Sequence, residues 1–132
     1  MGVTPKRSER DYAFGTEPLT GREKALLAAR EVDDLNATDV IILDVREAVA
    51  LADYFVICTG DTKRHIRALA DRVAEISRER GFKVHHTEGE AAAKWVLLDL
   101  NNVVVHIFDR EAREYYELER LWGDAPRVEF QN

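Results

Sequence analysis

Segment 94–108 limits the possible folds more than any other part of the sequence, because its pattern is that of a β-hairpin. Two apolar runs flank Asn101-Asn102, and asparagine tolerates the positive backbone φ angles of a two-residue hairpin turn. The register set by this turn places Trp95 opposite Phe108. Side chains alternate between the two faces of a strand, so one side of the hairpin is wholly apolar and is predicted to be core: Val96, Leu98, Leu100, Val103, Val105 and Ile107.

The other side of the hairpin mixes polar and large apolar side chains, so we expect it to be only partly covered. His106 lies opposite Leu97 in this register and diagonal to Asp99, which is close enough for the two side chains to interact. We predict that His106 and Asp99 form a hydrogen-bonded orienting pair rather than a catalytic one.

The rest of the chain alternates between strand-like and helix-like patterns. Thr20 and Glu23 match a capping box at the start of a helix, and two runs rich in β-branched residues are typical of strands buried on both faces. The order predicts an α/β domain. Its elements are a helix over 20–34, strands over 40–45 and 54–59, a helix over 62–80, a short strand over 82–87, the hairpin, and a helix over 109–122.

Length and composition divide the chain into one domain with two extensions. The 132 residues suit a single domain that needs no metal or disulfide to be stable. Residues 1–18 alternate charges around two prolines and have few apolar side chains, so they are predicted to form a flexible leader. The domain itself is expected over 19–122, and residues 123–132 are expected to form a flexible tail.

Charge and hydropathy limit the partners and the location. Nineteen basic and twenty-five acidic residues give a net charge of −6, the opposite sign to that of most proteins that grip a phosphate backbone. We therefore expect a neutral or basic protein partner and no direct sequence-specific recognition of nucleic acid. No apolar stretch approaches the ~20 residues that span a bilayer, so a cytoplasmic protein without membrane contact is predicted.

The residue patterns of common catalytic sites are missing from the sequence. Asp44 is followed by Val45 and Arg46, so the pair of carboxylates that holds cations in nucleotidyl transfer is not present on that strand. The single cysteine, Cys58, lies in an apolar run that is typical of a buried structural thiol. The histidines lack metal-ligand spacing: His65, His85, His86 and His106. We predict no catalytic residue, no metal and no cofactor, and hence a binding protein rather than an enzyme.

Acidic residues cluster in the half of the chain that also contains Trp95, Tyr115 and Tyr116. Aromatic anchors surrounded by charge are typical of protein interfaces. The alternative for Trp95 is a plain role in the core. The acidic residues of this half are Glu88, Glu90, Asp99, Glu117 and Glu119.

Six sequence blocks together resemble the ribosomal silencing factor family, also called RsfS or Iojap. The resemblance covers about 19–122, in the expected order. The blocks are LDVRE at 43–47, ADYFVICTG at 52–60, EGE at 88–90, WVLLD at 95–99, VVVHIF at 103–108 and EYYELERLW at 114–122. Asn101-Asn102 stands where family members often have a glycine, and either choice suits the same turn.

The resemblance implies a fold, a partner and a binding surface. The fold is a mixed five-stranded sheet flanked by helices, related in shape to nucleotidyltransferases but without their catalytic acids. The partner is the large ribosomal subunit, bound through ribosomal protein L-fourteen, so that joining of the small subunit is blocked and translation is repressed when nutrients are short. Positions that match the family's binding surface are Trp95, Leu97, Asp99, Tyr115, Glu119, Asp53, Tyr54, Glu88 and Glu90. Some members self-associate, which leaves a homodimer open.

Two other functions remain as alternatives. A nucleotidyltransferase-fold enzyme would use the Gly60-Asp61-Thr62-Lys63 turn at a helix N-terminus to hold phosphate, and a nucleotide with Mg²⁺ would then stabilise it. An RNA-binding protein would use the basic residues of helix 62–80, and its affinity would fall steeply with salt.

Overall fold

The structure is a computed structural model, and it describes residues 19–89, 94–117, 120 and 122–130. The element order follows the prediction of a helix, two strands, a helix, three strands and a helix. The helices are α1 (Gly21–Asp34), α2 (Lys63–Glu79) and α3 (Arg110–Tyr116), and the strands are β1 (Thr38–Asp44), β2 (Tyr54–Thr59), β3 (His86–Glu88), β4 (Trp95–Asp99) and β5 (Val103–Phe108).

The five strands form one mixed sheet in the order β1-β2-β5-β4-β3. The β2 and β5 strands pair in parallel, and the other neighbours are antiparallel. The predicted hairpin register is confirmed, because Trp95 pairs with Phe108 and Leu97 pairs with His106. The fold is therefore the predicted α+β sheet, while its likeness to nucleotidyltransferases stays a prediction.

Helices α1 and α2 cover one face of the sheet, and the six apolar hairpin residues predicted as core are all buried there. Both helices begin where the sequence predicts. The Thr20 hydroxyl accepts a hydrogen bond from the backbone N–H of Glu23, whose carboxylate accepts one from Thr20 in return. The Thr62 hydroxyl caps α2 through the backbone N–H of His65. Every residue of β2 is buried, as expected for a strand that is covered on both faces.

The opposite face, called here the α3 face, has a smaller core. Side chains of β1, β2 and β5 pack there against α3 and residues 122–125; the buried members are Leu43, Val45, Ala52, Phe55, Ile57, Phe108 and Ala112. Trp122 lies edge-on to Phe55, with ring centroids 6.1 Å apart. Much of this cover lies over β2 and β5, so the side chains that β4 and β3 present on this face are only half-buried or exposed.

The last helix is shorter than the sequence predicts. Helix α3 ends at Tyr116 rather than near Trp122, because Glu117 adopts the left-handed conformation with φ 49°. A residue in this conformation turns the chain away from the helix axis.

The predicted flexible tail also differs from the structure, in which part of it is paired with β1. The backbone N–H of Val128 donates to the Ile42 carbonyl, and the N–H of Asp44 donates to Pro126. Val128 is buried in the core beside this edge strand. This pairing has a physical reason, because it leaves fewer backbone groups of the edge strand β1 without partners.

Across the described ranges, every helix is too short or too polar to traverse a lipid bilayer.

Candidate protein-docking surface

Four of the predicted binding residues share the α3 face at the open side of the sheet. Trp95, Leu97 and Asp99 alternate along β4 and therefore point to the same face. Glu88 of β3 pairs directly with Leu97, so its side chain lies on that face too. Together with Tyr115 of α3, these residues form what we call the β4 surface.

Trp95 is the half-buried centre of the β4 surface. Its ring packs against Phe108 at a centroid distance of 4.9 Å and against Tyr116 at 4.8 Å. Its indole N–H donates a hydrogen bond to Nδ1 of His106 over 3.1 Å. The ring is thus held on the sheet side while part of it stays open to solvent.

His106 is 5% exposed and does not form the predicted pair with Asp99. A carboxylate oxygen of Asp99 accepts instead from the backbone N–H of Asn101, over 2.8 Å, within the hairpin turn. A short aspartate side chain readily accepts from the backbone N–H two residues further on, which favours this bond over a diagonal one. Burial among aromatic rings lowers the pKa of His106 to about 4, so the imidazole is neutral at physiological pH.

Tyr115 extends the β4 surface towards α3 with an exposed ring. It is 79% exposed, and it meets Tyr116 edge-on at 5.1 Å. A groove of about 460 Å³ lies between the start of β4 and α3; its lining residues are Lys94, Trp95, Glu111, Ala112, Tyr115 and Tyr116. Lys94 and Glu111 form an ion pair at this groove, which raises the pKa of Lys94 and lowers the pKa of Glu111.

The remaining predicted binding residues lie away from the β4 surface or outside the described residues. Tyr54 is 5% exposed and belongs to the core between the sheet and helix α1, on the opposite face from Trp95. Asp53 precedes it, and its backbone N–H donates to Asn102. Glu90 and Glu119 fall outside the described residues, so the structure does not place them.

Tyr116 is a contact of Trp95 that the predicted binding set omits. Its ring centroid lies 6.0 Å from that of Phe108 as well, so it completes an aromatic cluster at the edge of the β4 surface. The signal in the sequence is the tyrosine pair itself, since both rings follow Ala112 at helical spacing of three and four residues.

The polar groups that suggested chemistry have structural partners. Arg46 makes two hydrogen bonds to the Asp44 carboxylate, at 2.9 and 2.7 Å, which lower the pKa of Asp44. His65 bridges the Asp61 N–H and the Leu35 carbonyl. Burial raises the pKa of the Cys58 thiol to about 12. Within the described ranges, no group of three or more His, Cys, Asp or Glu residues could hold a metal ion.

The fold and this surface define an α+β sheet domain that presents aromatic and carboxylate side chains on an open sheet face. A family model described as ribosomal silencing factor during starvation matches residues 18–132. The chain belongs to this family, as the six sequence blocks indicated.

Individual relatives agree with the family match. RsfS of Halalkalibacterium halodurans, a ribosomal silencing factor, is 40% identical over 113 residues, which cover 86% of this chain and 97% of the relative. A crystal structure of a Chromobacterium violaceum protein has a TM-score of 0.76 at 34% identity and covers 80% of this chain and 88% of that one. A Mus musculus protein named mitochondrial assembly of ribosomal large subunit protein 1 is 33% identical over 90 residues, 66% of this chain and 40% of that protein.

Proposed function

We propose that this chain binds the large ribosomal subunit through ribosomal protein L-fourteen and sterically blocks joining of the small subunit. It thereby represses translation when nutrients are short, acting in the cytoplasm without catalysing a reaction. The single observation that carries the proposal is the half-exposed Trp95 ring among the carboxylates of the uncovered β4 surface. The names of the relatives support it, since one is a ribosomal silencing factor and another is named for the large subunit.

The chemistry of the β4 surface suits a basic protein partner. Trp95 and Tyr115 offer large rings that lose little conformational freedom on binding, and such residues provide most of the affinity of many interfaces. Asp99 and Glu88 lie on the same face and add negative charge, which attracts a basic surface and fixes its orientation. The net charge of −6 acts in the same direction at longer range.

Sedimentation of purified ribosomal subunits tests the function directly. Large subunits that have been saturated with the protein are mixed with small subunits and separated on a sucrose gradient. We expect whole ribosomes to decrease and the protein to migrate with the free large subunit. Unchanged joining at saturating protein would falsify the proposal.

Replacing Trp95 tests the centre of the β4 surface. Trp95→Ala is expected to weaken binding to large subunits by about 2 kcal/mol, roughly 30-fold, because it removes an interface anchor. Binding is measured by co-sedimentation over a concentration series. The matched control is Phe82→Ala, which truncates a half-buried ring packed on the other face of the sheet. Equal affinities of the two variants would reject Trp95 as an anchor.

Reversing one charge tests the electrostatic part of the surface. Glu88→Lys is expected to slow association with large subunits several-fold at low salt, and the difference from wild type should shrink as salt screens the charges. Stopped-flow or surface-based kinetics provide the measurement. Glu79→Lys makes the same charge change on α2, on the opposite face, and should leave the rate nearer to wild type. The reverse order of the two rates would count against the β4 surface.

A further inference from the structure

His106 has an arrangement that core packing alone does not explain. It lies among aromatic rings on the α3 face, edge-on to Phe55 with centroids 4.7 Å apart and parallel to Phe108 at 6.3 Å. An apolar side chain of similar size would suit these neighbours without carrying polar atoms into the core. The reason for an imidazole at this position must therefore come from a polar contact.

The polar contact that the ring makes among the described residues fixes its protonation state. Because the Trp95 indole N–H donates to Nδ1 of His106, that nitrogen must be unprotonated. The proton of the neutral ring then lies on Nε2, which is buried and has no hydrogen-bond partner within the described part of the chain. A buried N–H without an acceptor is unfavourable for folding. The imidazole thus lowers stability at one nitrogen while it holds Trp95 with the other.

We infer that His106 is a positioning residue whose Nδ1 atom fixes the indole of Trp95 in the orientation that the β4 surface presents to its partner. The inference rests on the proposed function and adds a residue that does not itself face the partner. The rings of Phe108 and Tyr116 pack against the indole at interplanar angles of 35° and 51°, but such contacts do not specify in which direction its N–H edge points. The hydrogen bond to His106 supplies that last constraint.

Two substitutions separate positioning from packing. His106→Leu keeps an apolar volume and removes both the acceptor and the unpaired N–H, so we expect it to unfold at the same or a higher denaturant concentration than wild type. Its affinity for large subunits should nevertheless fall about 3- to 10-fold, the value of one hydrogen bond that orders the anchor. His106→Asn places its side-chain oxygen near the position of Nδ1, so it should retain most of the affinity although it is less stable.

The Trp95 indole N–H itself gives a readout that a purely structural role would not change. Its proton resonance and its rate of hydrogen exchange can be followed in ¹⁵N-labelled protein, with the indole of Trp122 as an internal reference. We expect faster exchange at Trp95 in His106→Leu and exchange near the wild-type rate in His106→Asn. Trp95→Phe has no indole N–H, so its affinity should not change when His106→Leu is added to it in a double variant.

The binding and exchange measurements distinguish a failure of the positioning role from a failure of the proposed function. Wild-type protein that fails to bind large subunits would overturn the proposed function. Wild-type protein that binds while His106→Leu binds equally well, with unchanged exchange at Trp95, would overturn the positioning role alone. Weaker binding and faster exchange in His106→Leu, both restored in His106→Asn, would establish it.

Discussion

Lowering the pH from 7 to 4 is expected to remove about 3 kcal/mol of the free energy of unfolding through His106 alone. Burial lowers the pKa of this histidine from its ordinary value of 6.5 to about 4 in the folded protein. Between these two values the unfolded chain binds a proton that the folded protein does not, so stability falls as the pH decreases through this range. The difference between the two pKa values sets the size of the loss. Above about pH 6.5 the contribution of His106 is constant.

Denaturant unfolding followed by circular dichroism at a series of pH values measures this loss. His106→Leu is the matched control, because it cannot take up the proton and should show a curve that is flatter by about 3 kcal/mol over the same range. Asp44 and Glu111 also have lowered pKa values, and the stability that they contribute is lost below their ordinary values of 3.8 and 4.5. Both proteins retain these two groups, so the difference between the two curves reports His106. Parallel curves for wild type and His106→Leu would contradict the expectation.

Replacing Arg113 is expected to cost a similar amount at neutral pH. Its buried guanidinium donates to the hydroxyl of Thr59 over 2.9 Å and to the carbonyl of Asp39 over 2.8 Å, and so joins α3 to two strands of the sheet. Hydrogen bonds from a charged group contribute about 1.5–3 kcal/mol each. Arg113→Met keeps the length of the side chain but leaves the Thr59 hydroxyl buried without this donor, so we expect the free energy of unfolding to fall by about 3 kcal/mol.

Arg110→Met provides the control for this substitution on the same helix. Arg110 donates to the Thr38 hydroxyl over 3.1 Å and lies 3.4 Å from the Asp39 carboxylate, so it bridges α3 and β1 at an exposed position. Exposed pairs of this kind contribute less than about 1 kcal/mol. Both variants are compared by denaturant unfolding at neutral pH. Equal losses would show that burial of Arg113 does not determine its contribution.

The features that the sequence predicts well are those that depend on neighbouring residues. The capping box at Thr20, the cap at Thr62 and the register of the β4–β5 hairpin all follow from side chains a few positions apart, and all are present in the structure. The alternation along the hairpin also separates the buried face from the partly covered one. Neighbouring residues set the local conformation in these short-range patterns, and this conformation agrees with the tertiary packing of the fold.

The features that the sequence did not reveal depend on contacts between distant segments or on a single backbone angle. Nothing near Val128 shows that its backbone pairs with Ile42, since the match forms only after the sheet exists. The sequence predicts too late an end for α3 because the helical pattern continues past Glu117, and no residue such as glycine marks the left-handed angle at that position.

In the candidate site too, the features that depend on neighbouring residues are predictable from the sequence, and those that depend on distant contacts are not. Alternation along β4 brings Trp95, Leu97 and Asp99 to one face. Tyr54 points to the other face, because alternation along β2 places it with Val56 and Cys58 on the side of the helices α1 and α2. The partner of His106 could not be chosen from the register alone. Asp99 is diagonal to His106 in this register, but its carboxylate accepts from the backbone of the turn, and Nδ1 of His106 accepts from the indole of Trp95.

The parallel pairing of β2 with β5 also determines the order in which the newly made chain can become compact. The apolar β2 strand leaves the ribosomal tunnel long before β5, its parallel neighbour. Val103, which pairs with Tyr54, is synthesised much later than Tyr54. Until then the edge of β2 that β5 will cover is unpaired, and more than a third of the chain lies in the loop that must close. Pairings between such distant residues slow folding and lengthen the time during which aggregation or chaperone binding can occur.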